Sequence, residues 1–274
     1  MIFREVKPCK QLEPLVRKYL LVHHLPGAVV PVENYPTRIE QSLVFFARGC
    51  IKSYDPTINR YMPIASNALF GQQTNRLNFY PISKPDFLMV MVVFQPGALY
   101  RLLGISTHEF SEKFCDAEMI MSSELQNVND GISNALTYES MLELVEDYLL
   151  NKMRTLAREL HPIDNIAQLL LHNPSNFSMD WLCCQANLSP RQFERKFNEH
   201  MGIGPKLYAR ISRFYKALQY KERNPAIDWA MISFQFGYSD YCHLAKDFKE
   251  FTNVTPSIKI DRMAIHTEAK LVDI

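Results

Sequence analysis

Two short helical patterns that share one layout, joined by a long uninterrupted helical stretch, constrain this sequence more than any other feature. In the first pattern Ser178 precedes a helix predicted over 179–185, a turn follows at 186–188, and Ser189 precedes a helix with Pro190 at its first position. Serine is a favoured N-cap and proline is favoured at the first helical position. Two short helices joined by a tight turn form the helix-turn-helix motif, whose second helix fits the major groove of DNA.

The second pattern repeats this layout further along the chain. A helix is predicted over 226–234, the turn falls at 236–238, and Ser239 or Asp240 caps a helix predicted over 241–251. The central residue of the turn is glycine, which adopts left-handed backbone conformations without strain. The sequence therefore predicts a second helix-turn-helix unit.

The helix predicted over 205–223 separates the two units, and positive charge concentrates around it. At 1.5 Å per residue it spans roughly 25–30 Å, close to the ~34 Å of one DNA turn. From Ser189 to Arg223 there are nine lysines and arginines against three glutamates, although the whole chain carries only +1. Any single one of these charges is explained by a solvated helix surface, but such a concentration favours phosphate binding.

These residues resemble the AraC/XylS family of bacterial transcription regulators over 163–260. The most specific matches in the second unit are Ala230, Phe236-Gly237-Tyr238, Leu244, Phe248-Lys249 and Thr255-Pro256. The first unit and the connecting helix add Leu182, Leu188-Ser189, Arg191, Arg195, Phe197, Gly202, Pro205, Tyr208, Arg210 and Ala217-Leu218. One departure is Lys246, where the family often has arginine, because lysine cannot make a bidentate contact with guanine.

The resemblance implies a regulator without catalytic activity that binds double-stranded DNA, activates transcription and contacts RNA polymerase. The side chains implied to face base edges are Arg191, Glu194, Arg195, Tyr241, Cys242, Ala245 and Lys246. Those expected at phosphates are Ser189, Lys206, Arg210, Arg213 and Lys249.

The N-terminal part has a different sequence pattern. Short apolar runs such as SLVFFA and FLMVMVVF are separated by proline, asparagine and glycine. Such runs are typical of buried strands in a sandwich or barrel. With the stretch VFQPGALYRLLGISTHE over 93–109, this half resembles the cupin-like sensing domains that precede such regulators. We therefore predict an α+β protein. Residues 1–160 form a β-rich sensing or dimerisation domain with flanking helices, and 161–274 form an all-α domain of two helix-turn-helix units.

The implied role of the N-terminal domain is to bind a small-molecule effector. Four polar or aromatic groups amid the apolar strands are candidates for a pocket, with loop and surface positions as the alternative. They are Tyr35, Arg38, Gln72 and Tyr80. No cofactor and no metal are expected, because His23 and His24 have no further histidine in the later strands to complete a site. A regulator without ligand, acting through protein–protein contacts of this domain, is the alternative.

Helices are also predicted between the two halves, over 122–136 and 139–160. In the second, apolar residues recur at three- and four-residue spacing from Leu142 to Leu160, which suits either a buried core or a homodimer seam. Upstream, Ser106 followed by Glu109 predicts a helix start, with Phe110 and Phe114 on one face.

Other classes of protein are disfavoured by what the sequence lacks. It has no P-loop, nucleophile-elbow or zinc-protease motif. No apolar run reaches the ~18–20 residues of a membrane span, and the N-terminus is charged where a signal peptide is apolar. The six cysteines contain no C-x-x-C pair, which favours reduced thiols in a cytoplasm. A protein–protein scaffold would not require basic helices.

Overall fold

The chain folds as an α+β protein with a β-rich N-terminal half and a helical C-terminal half. A computed structural model describes residues 2–25, 33–55, 59–82, 86–175 and 177–256. The strands are β1 (Ile2–Val6), β2 (Val16–His24), β3 (Glu33–Tyr35), β4 (Ser42–Arg48), β5 (Cys50–Asp55), β6 (Arg60–Pro63), β7 (Asn67–Phe70), β8 (Leu77–Ile82), β9 (Phe87–Phe94) and β10 (Phe114–Asp116). The α-helices are α1 (Ala98–Leu103), α2 (Glu124–Asn134), α3 (Tyr138–Met153), α4 (Pro162–His172), α5 (Met179–Ala186), α6 (Pro190–Met201), α7 (Pro205–Arg223), α8 (Trp229–Gln235) and α9 (Tyr241–Thr252).

Two antiparallel sheets pack face to face in the N-terminal half, as expected for a cupin-like domain. One has the strand order β1-β2-β9-β4-β7-β10 and the other β3-β8-β5-β6. Side chains of the central strand β9 alternate between two cores. Leu88, Val90 and Val92 join the core under α2 and α3, while Met91 and Val93 join the core between the sheets.

The apolar stripe of α3 packs inside this domain. Val145 and Leu149 are fully buried, and Leu142 is half-buried against the same core. The stripe from Leu142 to Leu149 is therefore part of this core, whereas Leu160 at the end of the predicted helix is 59% exposed. Helix α3 ends at Met153 and not at residue 160. The Arg158 N–H donates to the Arg101 carbonyl at 3.0 Å, which directs the chain away from the helix axis towards α1.

The helix predicted after Ser106 is reduced to a 3₁₀ turn at Thr107–Phe110. Ser106 makes no side-chain capping bond. Phe114 does not share a helix face with Phe110, because it lies in β10, where it pairs with Phe70 of β7. Pairing between strands distant in sequence thus outweighs the local helix signal.

Helices α4–α9 surround a separate core in the C-terminal half. Phe197, Phe214 and Phe248, from α6, α7 and α9, are almost completely buried at its centre. Ile39 of the N-terminal half joins this core, so the two halves are in direct contact. No helix in the described ranges is both long enough and apolar enough to span a bilayer.

Candidate functional site

The first helix-turn-helix unit is fixed by local hydrogen bonds that agree with its predicted caps. The Ser178 side chain accepts from the Trp181 N–H at 3.1 Å. Asn187 ends α5 in the left-handed conformation, with φ of 52°. Ser189 and Gln192 then form a reciprocal capping box at the start of α6. Residues close in sequence therefore determine where the second helix begins.

Helix α6 presents a polar face to solvent. Phe193 and Phe197 point into the core with no exposed surface. Arg191, Glu194 and Arg195, predicted to face base edges, are exposed on its N-terminal half. Long polar side chains on a helix anchored by two buried aromatic rings are what insertion into a major groove requires.

The second unit has the same construction. Gly237 adopts a φ of +70° in the turn, and Asp240, not Ser239, caps α9 by accepting from the His243 N–H at 2.9 Å. Of the predicted groups, Tyr241, Cys242, Lys246 and Lys249 are exposed, while Ala245 is half-buried.

The predicted phosphate contacts lie in different environments. Lys206 is exposed, and Ser189 is exposed but occupied as a cap. Arg210 bonds Asp247 and Glu250, both at 2.7 Å, and these bonds, that to Glu250 foremost, raise the pKa of Arg210. Arg213 lies 3.6 Å from Asp247 and stacks over the Tyr238 ring at 4.0 Å. Both arginines therefore tie α7 to α9 in this arrangement.

Asp247 holds the second unit against α7, and no motif in the sequence predicted this contact. It is only 5% exposed, on the buried face of α9 between Leu244 and Phe251. A carboxylate in an apolar helical stripe requires a cationic partner. Because Asp247 lies three residues after Leu244, on the same face of α9, its position in the sequence indicates such a buried carboxylate. By binding α7, Asp247 sets the position of the second recognition helix.

A cavity lies between the two sheets of the N-terminal half. It encloses about 90 Å³, several times the ~10–15 Å³ that a single water requires. Its walls are mostly apolar and include Val44, Phe79, Met89 and Met91. One side is closed by the segment Pro36–Glu40, which we call the strap.

The strap contributes two opposite charges to the cavity wall. Arg38 Nε lies 2.6 Å from Glu40 Oε2, and Arg17 lies 3.1 Å from the same carboxylate. Burial favours the neutral forms, but the ion pair outweighs it, so the pKa of Arg38 is raised and that of Glu40 is lowered. The two charges neutralise each other, and the cavity wall presents no net charge from this pair.

The predicted pocket residues do not come together at this cavity. Arg38 lines it. Gln72 is buried but donates to the Arg38 carbonyl at 2.9 Å. Tyr80 lies beside Phe79 on β8 and therefore points to the opposite face, where its ring meets Tyr61 at 5.0 Å. The side chain of Tyr35 lies outside the described residues.

The strap also binds the C-terminal half. The Thr37 N–H donates to the Phe251 carbonyl of α9 at 3.3 Å, and Arg38 Nη1 donates to the Tyr215 hydroxyl of α7 at 3.2 Å. Next to the cavity, Arg76 donates to the Thr252 carbonyl at 3.0 Å. One wall of the cavity is thus bonded to the second unit.

A second contact between the halves surrounds the C-terminal end of α6. His200 Nδ1 lies 2.7 Å from Asp164 Oδ1, with each side chain 2% exposed. The Tyr100 ring stacks on His200 at 4.0 Å and its hydroxyl donates to Glu199 at 3.0 Å. The Ser111 hydroxyl donates to the Gly202 carbonyl at 2.6 Å. The first recognition helix is therefore held at one end and exposed at the other.

Neither histidine of β2 belongs to a metal cluster among the described residues. His23 contacts Tyr138 and Asp86, at 2.8 and 2.9 Å, while His24 lines the cavity. Across those residues, no group of three histidine, cysteine, aspartate or glutamate side chains is arranged to hold a metal ion.

Comparison with known proteins adds two findings. An apo variant of ToxT from Vibrio cholerae is similar to this chain at 14% identity and a TM-score of 0.49, over 87% of this chain and 95% of ToxT. Wild-type ToxT from Vibrio cholerae with a bound unsaturated fatty acid is similar at 13% identity and a TM-score of 0.48, over 87% and 93% of the two chains. No curated protein sequence matches the chain.

The second finding concerns the family of the C-terminal half. Residues 182–259 match the family described as "Helix-turn-helix domain". This range begins in α5, contains α6 and α7, and ends beyond α9. It therefore includes both recognition helices, α6 and α9, and the helix α7 between them. Residues 182–259 of this chain therefore form a helix-turn-helix domain.

Proposed function

We propose that the protein is a sequence-specific, DNA-binding transcriptional regulator and not an enzyme. The observation that carries this proposal is the exposed face of α6, where Arg191 and Arg195 stand on a helix capped by Ser189 and anchored by buried phenylalanines. Arginine reads guanine through two parallel hydrogen bonds in the major groove. Glu194 completes this polar face.

The second recognition helix reads an adjacent groove. Tyr241, Cys242, Ala245 and Lys246 are the candidate base contacts on α9. The 19 residues of α7 correspond to a rod of roughly 28 Å, near the ~34 Å separation of successive major grooves on one face of DNA. Lys206 and Lys249 are the exposed candidates for phosphates. Arg210 and Arg213 reach phosphate only if they leave Asp247.

Replacing Arg195 by alanine should lower affinity for the preferred DNA sequence by about 5–150-fold, corresponding to roughly 1–3 kcal/mol, and relax the preference at one base pair. The measurement is fluorescence anisotropy on a sequence selected from random DNA, compared with scrambled DNA at the same salt concentration. Arg154→Ala is the control, because this arginine is exposed in the N-terminal half. Equal affinity of Arg195→Ala and wild type for the selected sequence would remove Arg195 from the interface.

Control by a small molecule is the second part of the proposal. The cavity between the sheets is closed by the strap, which is bonded to α7 and α9. An effector that displaces the strap changes the contacts of the second unit and shifts the population between two arrangements of the domains. The apolar walls and the neutralised Arg38–Glu40 pair favour a small, uncharged, apolar effector.

Toluene is a suitable probe of the cavity, because a ligand that binds only the folded state raises its unfolding temperature. We expect saturating toluene to raise the unfolding temperature of wild type and to leave that of Val44→Phe unchanged, since Val44 lines the cavity. Val6→Phe, on half-buried β1 outside the cavity, should respond like wild type. No rise in wild type would favour a ligand-free regulator that acts through protein–protein contacts.

The remaining assignments rest on the family resemblance. We propose activation through RNA polymerase, and a location in the cytoplasm, where the DNA is. A homodimer would use a surface other than the buried stripe of α3. The domain boundary is proposed between residues 160 and 161, where α3 and its following turn lead into α4.

A further inference from the structure

A second concave site lies outside the two sheets, between α2 and the end of β4. This cleft is open to solvent on one side and has a volume of about 470 Å³. One wall is a face of α2 formed by Gln126, Asn129, Asp130 and Ser133, and the other includes Arg48.

The polar side chains of this wall lie along one side of α2. Residues three and four positions apart share a face of a helix, which brings these four side chains together. Asn129 is buried with Leu125 and Ile132, whereas Gln126 and Asp130 are exposed, and Gln126 Nε2 donates to Asp130 Oδ1 at 2.9 Å. The second carboxylate oxygen of Asp130 is left to face the cleft.

Asn129 provides a second, independent indication of a ligand. It is only 4% exposed, and its Nδ2 donates to the Ser66 carbonyl at 3.3 Å. Its Oδ1 is buried and has no hydrogen-bond partner among the described residues. An unpaired buried carbonyl costs stability unless a water, an ion or a ligand completes its hydrogen bonding.

On the opposite wall Arg48 is held by a chain of hydrogen bonds. Its Nη1 lies 2.8 Å from Asp86 Oδ2, while Asp86 Oδ1 lies 2.9 Å from His23 Nε2. His23 Nδ1 in turn lies 2.8 Å from the Tyr138 hydroxyl. Both oxygens of Asp86 are thereby occupied. Arg48 is bound through one nitrogen, and its buried Nε has no hydrogen-bond partner in the described chain.

The charges of the two walls define the ligand. Arg48 is positive, and Asp130, exposed on α2, is negative. Arg48 uses one nitrogen for Asp86, and its other nitrogens are donors that suit a carboxylate, while Asn129 Oδ1 and Asp130 are acceptors that suit an ammonium group. We propose that the cleft binds a free α-amino acid, with its carboxylate on Arg48 and its ammonium group on Asn129 and Asp130.

The test is thermal unfolding of the full chain with each proteinogenic L-amino acid at millimolar concentration. At least one of them should raise the unfolding temperature of wild type by roughly 2 °C or more. Asn129→Leu and Arg48→Met should each abolish this rise. Asn127→Leu should keep it, because Asn127 is exposed on α2 and outside the cleft.

The amino acid that binds is then compared with the amine that lacks its carboxylate and the acid that lacks its amino group. Both analogues should lose the effect. The proposal is overturned if no amino acid stabilises wild type, if Asn129→Leu and Arg48→Met respond like wild type, or if either analogue binds as well as the amino acid. Should Asn129→Leu fail to fold, Arg48→Met decides between these outcomes. The result is independent of DNA binding.

Discussion

Phe214→Ala is expected to unfold the C-terminal half at temperatures where the N-terminal half remains folded. The Phe214 side chain is 1% exposed at the centre of α7. Its ring lies 5.7 Å from that of Phe248 and 5.3 Å from that of Phe251. Truncation of a buried phenylalanine costs about 3–5 kcal/mol, a large part of the ~5–15 kcal/mol that stabilises a typical domain.

Tryptophan fluorescence follows this unfolding selectively. The chain has two tryptophans, Trp181 and Trp229, and both lie in the C-terminal half. In Phe214→Ala the tryptophan emission should therefore change at a lower temperature than in wild type. The circular dichroism signal of the strands, which lie in the N-terminal half, should change at a higher temperature than the emission. Phe234→Ala is the matched control, because Phe234 is 85% exposed on α8. Coincident fluorescence transitions in the two variants would contradict the assignment of Phe214 to the core.

Asp164→Ala is expected to destabilise α4 and loosen its contact with the N-terminal half. The carboxylate of Asp164 binds His200 on one oxygen and accepts from the His161 N–H at 3.0 Å on the other. Its removal deletes one of the two bonds of the capping box at the start of α4, where His161 is the N-cap, and leaves a buried histidine without its partner. Breaking a buried pair from one side costs about 3–5 kcal/mol.

Two measurements check this prediction. The urea midpoint from tryptophan fluorescence should fall, and protease should cut more rapidly between residues 154 and 161, which join α3 to α4. Asp180→Ala is the control, since Asp180 is exposed in the first turn of α5. Gly97→Ala should loosen the same contact, because a Cβ there would collide with the Asp164 carboxylate. Unchanged cleavage in both Asp164→Ala and Gly97→Ala would show that Asp164 does not hold the halves together.

The C-terminal helices could be predicted from sequence because their boundaries depend on nearby residues. Helix α6 starts where Ser189, Pro190 and Gln192 form a cap, and α7 covers 205–223 as predicted. The buried faces of both helices follow from the spacing of their aromatic residues. The exposure of Arg191 and Arg195 follows from the same periodicity.

The features that could not be predicted depend on contacts between residues distant in sequence. Strand β10 exists because Phe114 pairs with Phe70, which no local pattern encodes. The internal bonds of Arg210 and Arg213 arise from α9 packing on α7, so their charge alone suggested phosphate contacts. The cavity and the cleft require several strands and helices to be assembled before their walls exist.

The strap has two structural roles. Thr37 and Arg38 line the cavity and also hold Phe251 and Tyr215. In the proposed regulator, a substitution there would alter ligand preference and operator occupancy at the same time. New effector specificities of that regulator should therefore evolve more readily on the far wall, at Phe79 or Met89, where a change in cavity shape leaves the bonds to α7 and α9 intact.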